Sequence, residues 1–252
     1  MRTIIRFVLI NLCIGLLIGC ATENASVSGG NATENDLNSM LHSSRTGDAP
    51  MPGSLFREDQ AVISNESIEQ VLNAKITLPE NAKLAAVRFG QMPYWWGWSE
   101  DFVRTNQQID DDFLGRLRQT RRLRKVMYLP SMITPTNMTI PFLREAAARC
   151  QANLLLIYRT SSHSYDKQRF LGPDEVKAYC TVEAVLLDTK TGTIPFSTVV
   201  TKDFAAQRSR SDTDFSETVA KAQQQAIGSA WLKLADEVKS FLDAQAESQN
   251  TK

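Results

Sequence analysis

Histidine is almost missing from this chain. His42 and His163 are the two it has, and neither sits at ligand spacing from a cysteine or a carboxylate. A metal centre is therefore not expected. The four cysteines, Cys13, Cys20, Cys150 and Cys180, fit no metal-binding spacing either. The glycines never gather into a phosphate-cradling loop. Ser161-Ser162-His163-Ser164 is a polar run without the glycine-flanked serine of a nucleophile elbow. Charge of one sign is lacking too: 28 basic side chains face 28 acidic ones. Such a balance supplies no long-range field to draw nucleic acid. The apolar run from Phe7 to Ile18, broken by Asn11, is shorter than the ~20 residues a membrane-spanning helix needs. No cluster of acids, bases or nucleophiles reads as catalytic, so no enzyme activity and no cofactor are expected.

What is present begins with that same run. Arg2 and Arg6 precede it, and Leu17-Ile18-Gly19-Cys20 closes it. A basic start and a short apolar core fit a signal peptide, to be set aside in reasoning about the fold. Leu-aliphatic-Gly-Cys at its end resembles the lipobox of bacterial lipoproteins. That resemblance implies cleavage before Cys20 and acylation of its thiol. Stable anchoring takes at least two acyl chains, and the lipoprotein family carries three. Ala21, where an aspartate tends to retain such proteins at the inner membrane, implies the outer membrane with the domain facing the periplasm. Loss of residues 1–19 removes two arginines and no acid, leaving the remainder near −2.

From Thr22 to about Gly53 the chain is Ser, Asn, Thr, Gly and Glu with almost no apolar residue. It cannot bury enough surface to offset ordering entropy and reads as a disordered tether. The expected organisation is thus a leader over 1–19, a lipidated Cys20 with its tether over 20–54, one α/β domain over 55–247, and a disordered end over 248–252.

Within the domain, Ser64 to Leu72 reads as a short helix with Ile68, Val71 and Leu72 on one face. Lys83 to Gly90 reads as a buried strand. Ser99 starts a long helix with Phe102, Asn106, Ile109, Phe113 and Leu117 along one side, and a crowd of basic residues ends it. Val126 to Leu129 is a short strand, and a helix with Leu143, Ala146, Ala147 and Cys150 as its stripe follows. Asn153 to Arg159 is apolar on both faces, like a central strand. Ser161 to Pro173 reads as a polar loop. Glu175 to Asp188 alternates as a long strand, Gly192 turns, and Ile194 to Asp203 returns. Asp214 and Glu217 look like the capping box of a final helix to about Ala246, in which Gly228 is expected to allow close approach to the sheet. The fold class is α/β (α+β), ordered (α)βαβαβββα, with a mixed sheet of about five strands in the order 2-1-3-4-5. Pairing the two central strands across the polar loop sets Cys180 opposite about Ile157. Cys150 is then ~20 Å away at strand rise, beyond the roughly 7 Å a disulfide spans. Both cysteines read as small buried hydrophobes.

Two stretches carry a further resemblance: Phe142 to Ser161, with Gln151-Ala152-Asn153, and Val182 to Ser197, with Leu187-Asp188 and Thr191-Gly192. They are similar to the α/β domain of outer-membrane lipoproteins that activate penicillin-binding proteins, of the curli-secretion lipoprotein, and of the N-terminal domain of the Tol-system propeller protein. The motifs specify turns and packing. The resemblance implies an accessory, non-catalytic role through protein contacts.

Two groups are candidate sites. Tyr94, Trp95, Trp96 and Trp98 place four aromatics in five residues just after a strand. They read as a partner-binding loop, the partner being an envelope protein or, alternatively, a peptidoglycan or other glycan strand; a loop folded over the core is the blander reading. Arg116, Arg118, Arg121, Arg122, Arg124 and Lys125 read either as an anion-gripping surface or as a solvated helix end favoured by the helix dipole. The expected function is that of a lipid-anchored envelope accessory protein acting by protein contact. The alternative is an oligomeric secretion or transport component.

Overall fold

The structure is a computed structural model of the chain and describes residues 55, 64–73, 78–90, 100–136, 138–167 and 174–250. The elements are α1 (Asn65–Asn73), β1 (Ala82–Arg88), α2 (Glu100–Arg118), β2 (Leu123–Tyr128), a 3-10 turn (Ser131–Ile133), α3 (Ile140–Arg149), β3 (Leu154–Lys167), β4 (Glu175–Asp188), β5 (Phe196–Gln207) and α4 (Phe215–Asn250). They make one five-stranded sheet in the order β2-β1-β3-β4-β5, as expected. β1 runs parallel to both neighbours, and β3, β4 and β5 form an antiparallel meander.

Strand periodicity sorts the core into two layers. Leu84 and Ala86 of β1 and Leu154, Leu156 and Tyr158 of β3 join Phe113 and Leu117 of α2 and the apolar stripe of α4. Their odd-numbered neighbours, Ala85, Val87, Leu155 and Ile157, pack against Leu143, Ala146 and Ala147 of α3. On β4, Val176, Ala178, Cys180, Val182, Ala184 and Leu186 are all buried toward α4. That helix presents mostly alanines to the sheet (Ala222, Ala226, Ala230), so its axis can lie close. Gly228 serves a different contact from the one expected: a Cβ there would lie 3.3 Å from Ile109, so the close approach is to α2.

Four expectations need correction. β3 does not stop at Arg159; it continues to Lys167 through what reads as a polar loop, because these polar residues pair along β4, with Thr160 and Ser164 bonded to Trp231 and Gln223 of α4 and Ser161 and His163 on the opposite face. The register shifts with it, and Cys180 lies opposite Ser162 rather than Ile157. β2 begins three residues earlier than read, at Leu123, so Arg124 and Lys125 belong to a strand and not to a helix end. Ile68, Val71 and Leu72 of α1 remain exposed, and the helix buries nothing. Ser64 does cap it, its Oγ accepting from Ser67 N at 3.2 Å. α4 outruns its expected end by four residues and reaches Asn250. Cys150 and Cys180 are both free thiols, and burial pushes the Cys180 thiol up to about 12.

The two quoted motifs meet at the N-terminal edge of the parallel strands. Gln151 takes a left-handed φ of 57° to end α3. Asn153 Oδ1 accepts from Lys83 N at 2.9 Å, and its carbonyl accepts from Thr189 N at 3.0 Å. Asp188 Oδ1 accepts from Lys190 N and Thr191 N, and Gly192 turns at φ 79°. Arg144 of α3 donates to the carbonyls of Thr189 and Lys190 in that turn. This edge is a clasp: it fixes chain geometry and offers no reactive group.

The start of α4 is pinned by Asp212. Its carboxylate accepts from Lys221 Nζ at 2.7 Å, Thr218 Oγ1 at 2.7 Å and Ser209 N at 3.0 Å. The Lys221 and Thr218 hydrogen bonds hold its pKa down at about 2, below the ordinary 3.8. A depressed carboxylate stabilises the fold above its unfolded pKa and loses that contribution as pH falls through the folded one. Thermal melts of the native chain should therefore drop between about pH 4 and pH 2. Asp212→Asn should start lower at neutral pH, and its deficit should close across that window. An unchanged gap at pH 2 would contradict the assignment.

Candidate functional site

The order β2-β1-β3 makes the chain leave β1 toward one side and return past it to the other. The connecting helices consequently cover opposite faces, α2 with α4 on one and α3 on the other. At such a switch point the helices diverge and leave a crevice outside the carboxyl ends of the strands, where open α/β sheets take ligands. A cavity of about 450 Å³ opens there. Its walls come from the ends of β1 (Arg88, Gly90) and β2 (Tyr128), from Tyr158 within β3, from Asp110 of α2, and from the link between β2 and α3. Proline and the 3-10 turn shape that link: Thr134 N bonds back to the carbonyl of Pro130 at 3.1 Å, holding Thr134 and Thr136 on the rim.

An aromatic group forms the floor. Tyr158 meets Trp231 edge-on with ring centroids 5.3 Å apart, and Phe113 is tilted against both. Trp231 Nε1 donates to Thr160 Oγ1 at 3.0 Å, and the Arg88 guanidinium lies 5.7 Å over the indole ring. Tyr128 donates its hydroxyl to Asp110 Oδ1 at 2.6 Å. Burial, the neighbouring Tyr158 and the bond to Asp110 all raise the Tyr128 pKa far above its ordinary value. Burial raises Tyr158 to about 12. Both phenols are neutral donors at physiological pH. The Tyr158 hydroxyl is sealed from solvent and lies next to that of Tyr128.

The sequence-derived candidates fare unequally. Cys20 and the aromatics Tyr94, Trp95, Trp96 and Trp98 lie outside the described residues. In sequence the aromatics begin four residues after Gly90, which lines the crevice. The basic residues do not form one surface. Arg122 is buried and donates to the carbonyls of Leu78 at 2.9 Å and Gln245 at 3.1 Å, which makes it a staple between α4 and the chain entering β1. Arg116 is paired with Asp236 at 3.3 Å. Arg118, Arg121, Arg124 and Lys125 are exposed, spread over the end of α2, the turn and β2. Arg124 falls at a register break in the β1–β2 ladder, and a charged, bulged edge discourages strand addition.

Glu183 is partly buried on the sheet face opposite α4 and ion-paired with Arg159. On the same face Ser161 Oγ and His163 Nε2 are 3.1 Å apart. Burial lowers the His163 pKa. No carboxylate hydrogen-bonds the other ring nitrogen among the described residues, so the third member of a nucleophilic triad is missing there. Among the described residues no group of three or more His, Cys, Asp or Glu is placed to hold a metal ion, and no helix is long and apolar enough to cross a membrane. The crevice residues Arg88, Asp110, Tyr128 and Tyr158 escaped the sequence reading, since each falls singly in a different element. The one signal available was that the two parallel strands β1 and β2 end within reach of them.

No family model and no curated protein matches the chain. Several solved structures are similar in part. The hypothetical protein CT253 from Chlamydia trachomatis shares 10% identity over 65% of this chain and 99% of its own, with a TM-score of 0.39. A minor lipoprotein from Acinetobacter baumannii shares 10% over 64% and 94%, with a TM-score of 0.33. Lipoprotein GNA1162 from Neisseria meningitidis shares 8% over 63% and 99%, with a TM-score of 0.31. Two of these three are lipoproteins, and at this degree of similarity the likeness carries no argument about location or activity.

Proposed function

We propose that this chain is a lipid-anchored accessory protein of the cell envelope that acts by binding a partner protein and performs no catalysis. Cys20 carries the anchor, the outer membrane holds it, and the domain faces the periplasm. The binding edge is the carboxyl end of the parallel strands. One observation supports this choice of edge above others: the crevice at the switch point is walled by Gly90, from which three residues lead to Tyr94, Trp95, Trp96 and Trp98 in sequence. Aromatic side chains dominate binding hot spots because they bury large area at small entropy cost. The opposite edge is occupied by its own clasp of Asn153, Asp188 and Arg144.

The test is a photo-crosslinking amino acid placed at Trp96 and, separately, at Thr136 on the rim, in living cells. Capture of one dominant envelope protein at both positions, abolished by Trp95→Ala with Trp98→Ala, is the expected result. A glycan ladder would replace the protein partner with peptidoglycan. Absence of any adduct, with folded and acylated protein present, would overturn the proposal.

A further inference from the structure

The crevice holds two opposite charges that do not meet. Arg88 makes neither a hydrogen bond nor an ion pair among the described residues; its guanidinium lies over the indole face of Trp231 and close enough to Tyr158 to act on its hydroxyl. Asp110 spends one carboxylate oxygen on Tyr128 and leaves the other uncommitted among the described residues. Both line the same 450 Å³ cavity, yet no ion pair within 4.0 Å joins them, although arginine and aspartate elsewhere in the domain pair readily, as Arg116 does with Asp236. Tyr158, 1% exposed, lines the floor of the same cavity, its hydroxyl beside that of Tyr128.

Each candidate ligand charge can be weighed against this arrangement. A simple anion would gain Arg88 and be repelled by Asp110. A simple cation would gain Asp110 and be repelled by Arg88. A molecule bearing both charges satisfies both groups at once, and a planar guanidinium suits a carboxylate in two-point contact. We infer that the crevice binds a small zwitterion of the amino-acid or short-peptide class, its carboxylate on Arg88 and its ammonium on Asp110, with the hydroxyls of Tyr128 and Thr136 beside it. The cavity volume falls within the range of ligand sites of roughly 300–1,000 Å³. This deepens the proposed binding edge and shares its location, but the two can fail separately.

Isothermal titration of the full chain in detergent, with glycine, L-alanine, glycylglycine, propionate and propylamine as probes, decides the matter. A zwitterion should bind at one site per chain, and propionate and propylamine should each bind at least about tenfold more weakly. Strongest binding by glycine or L-alanine would name free amino acids as the source, and strongest binding by glycylglycine would name peptides. Arg88→Gln, which keeps a stem over Trp231, and Asp110→Asn, which keeps an acceptor for Tyr128, should each weaken the zwitterion about tenfold or more. Both variants should melt cooperatively near the native temperature. Propionate binding as tightly as the zwitterions, equal affinity in either variant, or no binding heat from any probe would overturn the inference. Partner capture in cells together with a silent titration would sink the zwitterion site and leave the docking proposal standing.

Discussion

Trp231→Ala should destabilise the domain by about 3–5 kcal/mol, the range for removing a large aromatic from a packed core. Trp231 is 1% exposed, and four separate contacts rest on it. Tyr158 and Phe113 pack against its ring, Thr160 accepts its indole N–H, and Arg88 lies over its face. Aromatic pairs add to simple area burial through their edge-to-face geometry, by roughly 0.5–1.5 kcal/mol each. The surrounding elements cannot collapse into the hole, because α4 is already seated on β4 through alanines. Urea denaturation followed by far-ultraviolet circular dichroism measures the change. A loss under roughly 1.5 kcal/mol would mean the floor repacks, which rigid aromatic neighbours should prevent. The variant should also lose the crevice: without the ring beneath it, Arg88 has no surface to hold its guanidinium in place.

Arg122→Ala should cost about 2–4 kcal/mol, from the loss of charge-assisted bonds and the stranding of buried carbonyls. Its two guanidinium nitrogens reach Leu78 and Gln245, residues far apart in sequence, so the side chain ties the last turns of α4 to the approach of β1. Arg124→Ala, two residues on and exposed, should stay within about 0.5 kcal/mol of the native chain. The contrast separates two readings of the same basic run. If Arg122 gripped an external anion, its loss would leave the denaturation midpoint unmoved and weaken binding instead. Equal midpoints for the two variants would return it to the surface.

That run shows where sequence reasoning reaches its limit. Six basic residues in ten look alike as letters, but a turn and a new strand begin inside them, and burial picks out one for the core. Leu123 was the available cue: as a lone apolar residue among charges it read as part of the helix, yet it starts the β1–β2 ladder. β4 was legible almost residue by residue because one of its faces is buried throughout, and strict alternation is what half-burial writes into a sequence. β3 was legible only in its first half. Leu154 to Tyr158 are apolar on both faces because helices cover both; from Arg159 onward one face is open, and Ser, Thr and His there resemble a loop. The turn motifs around Asn153 and Asp188 were legible for the same reason that they are uninformative about function: tight chain geometry demands particular residues. The crevice makes no such demand. A cavity is a shape between elements, and Arg88, Asp110 and Tyr158 acquire meaning only once three strands and a helix have been brought together.

Leu55 gives the domain a direction. It is packed against the α3 layer, and its carbonyl accepts from Ile140 N at 3.4 Å, at the first turn of α3. That turn begins two residues beyond Met138, which lines the crevice. The polypeptide arriving from Cys20 therefore joins the domain at the binding edge and not at the clasp. With Cys20 held in a bilayer, the 34 residues between it and Leu55 would limit the crevice to a height of about 120 Å above the lipid. Any pull along that chain acts at the mouth of the site. On the proposed reading, a captured partner and the anchor would share one line of force, and the protein would act as a leash that holds its catch on the near side. A load strong enough to peel Leu55 from Ile140 would loosen the site before it disturbed the sheet.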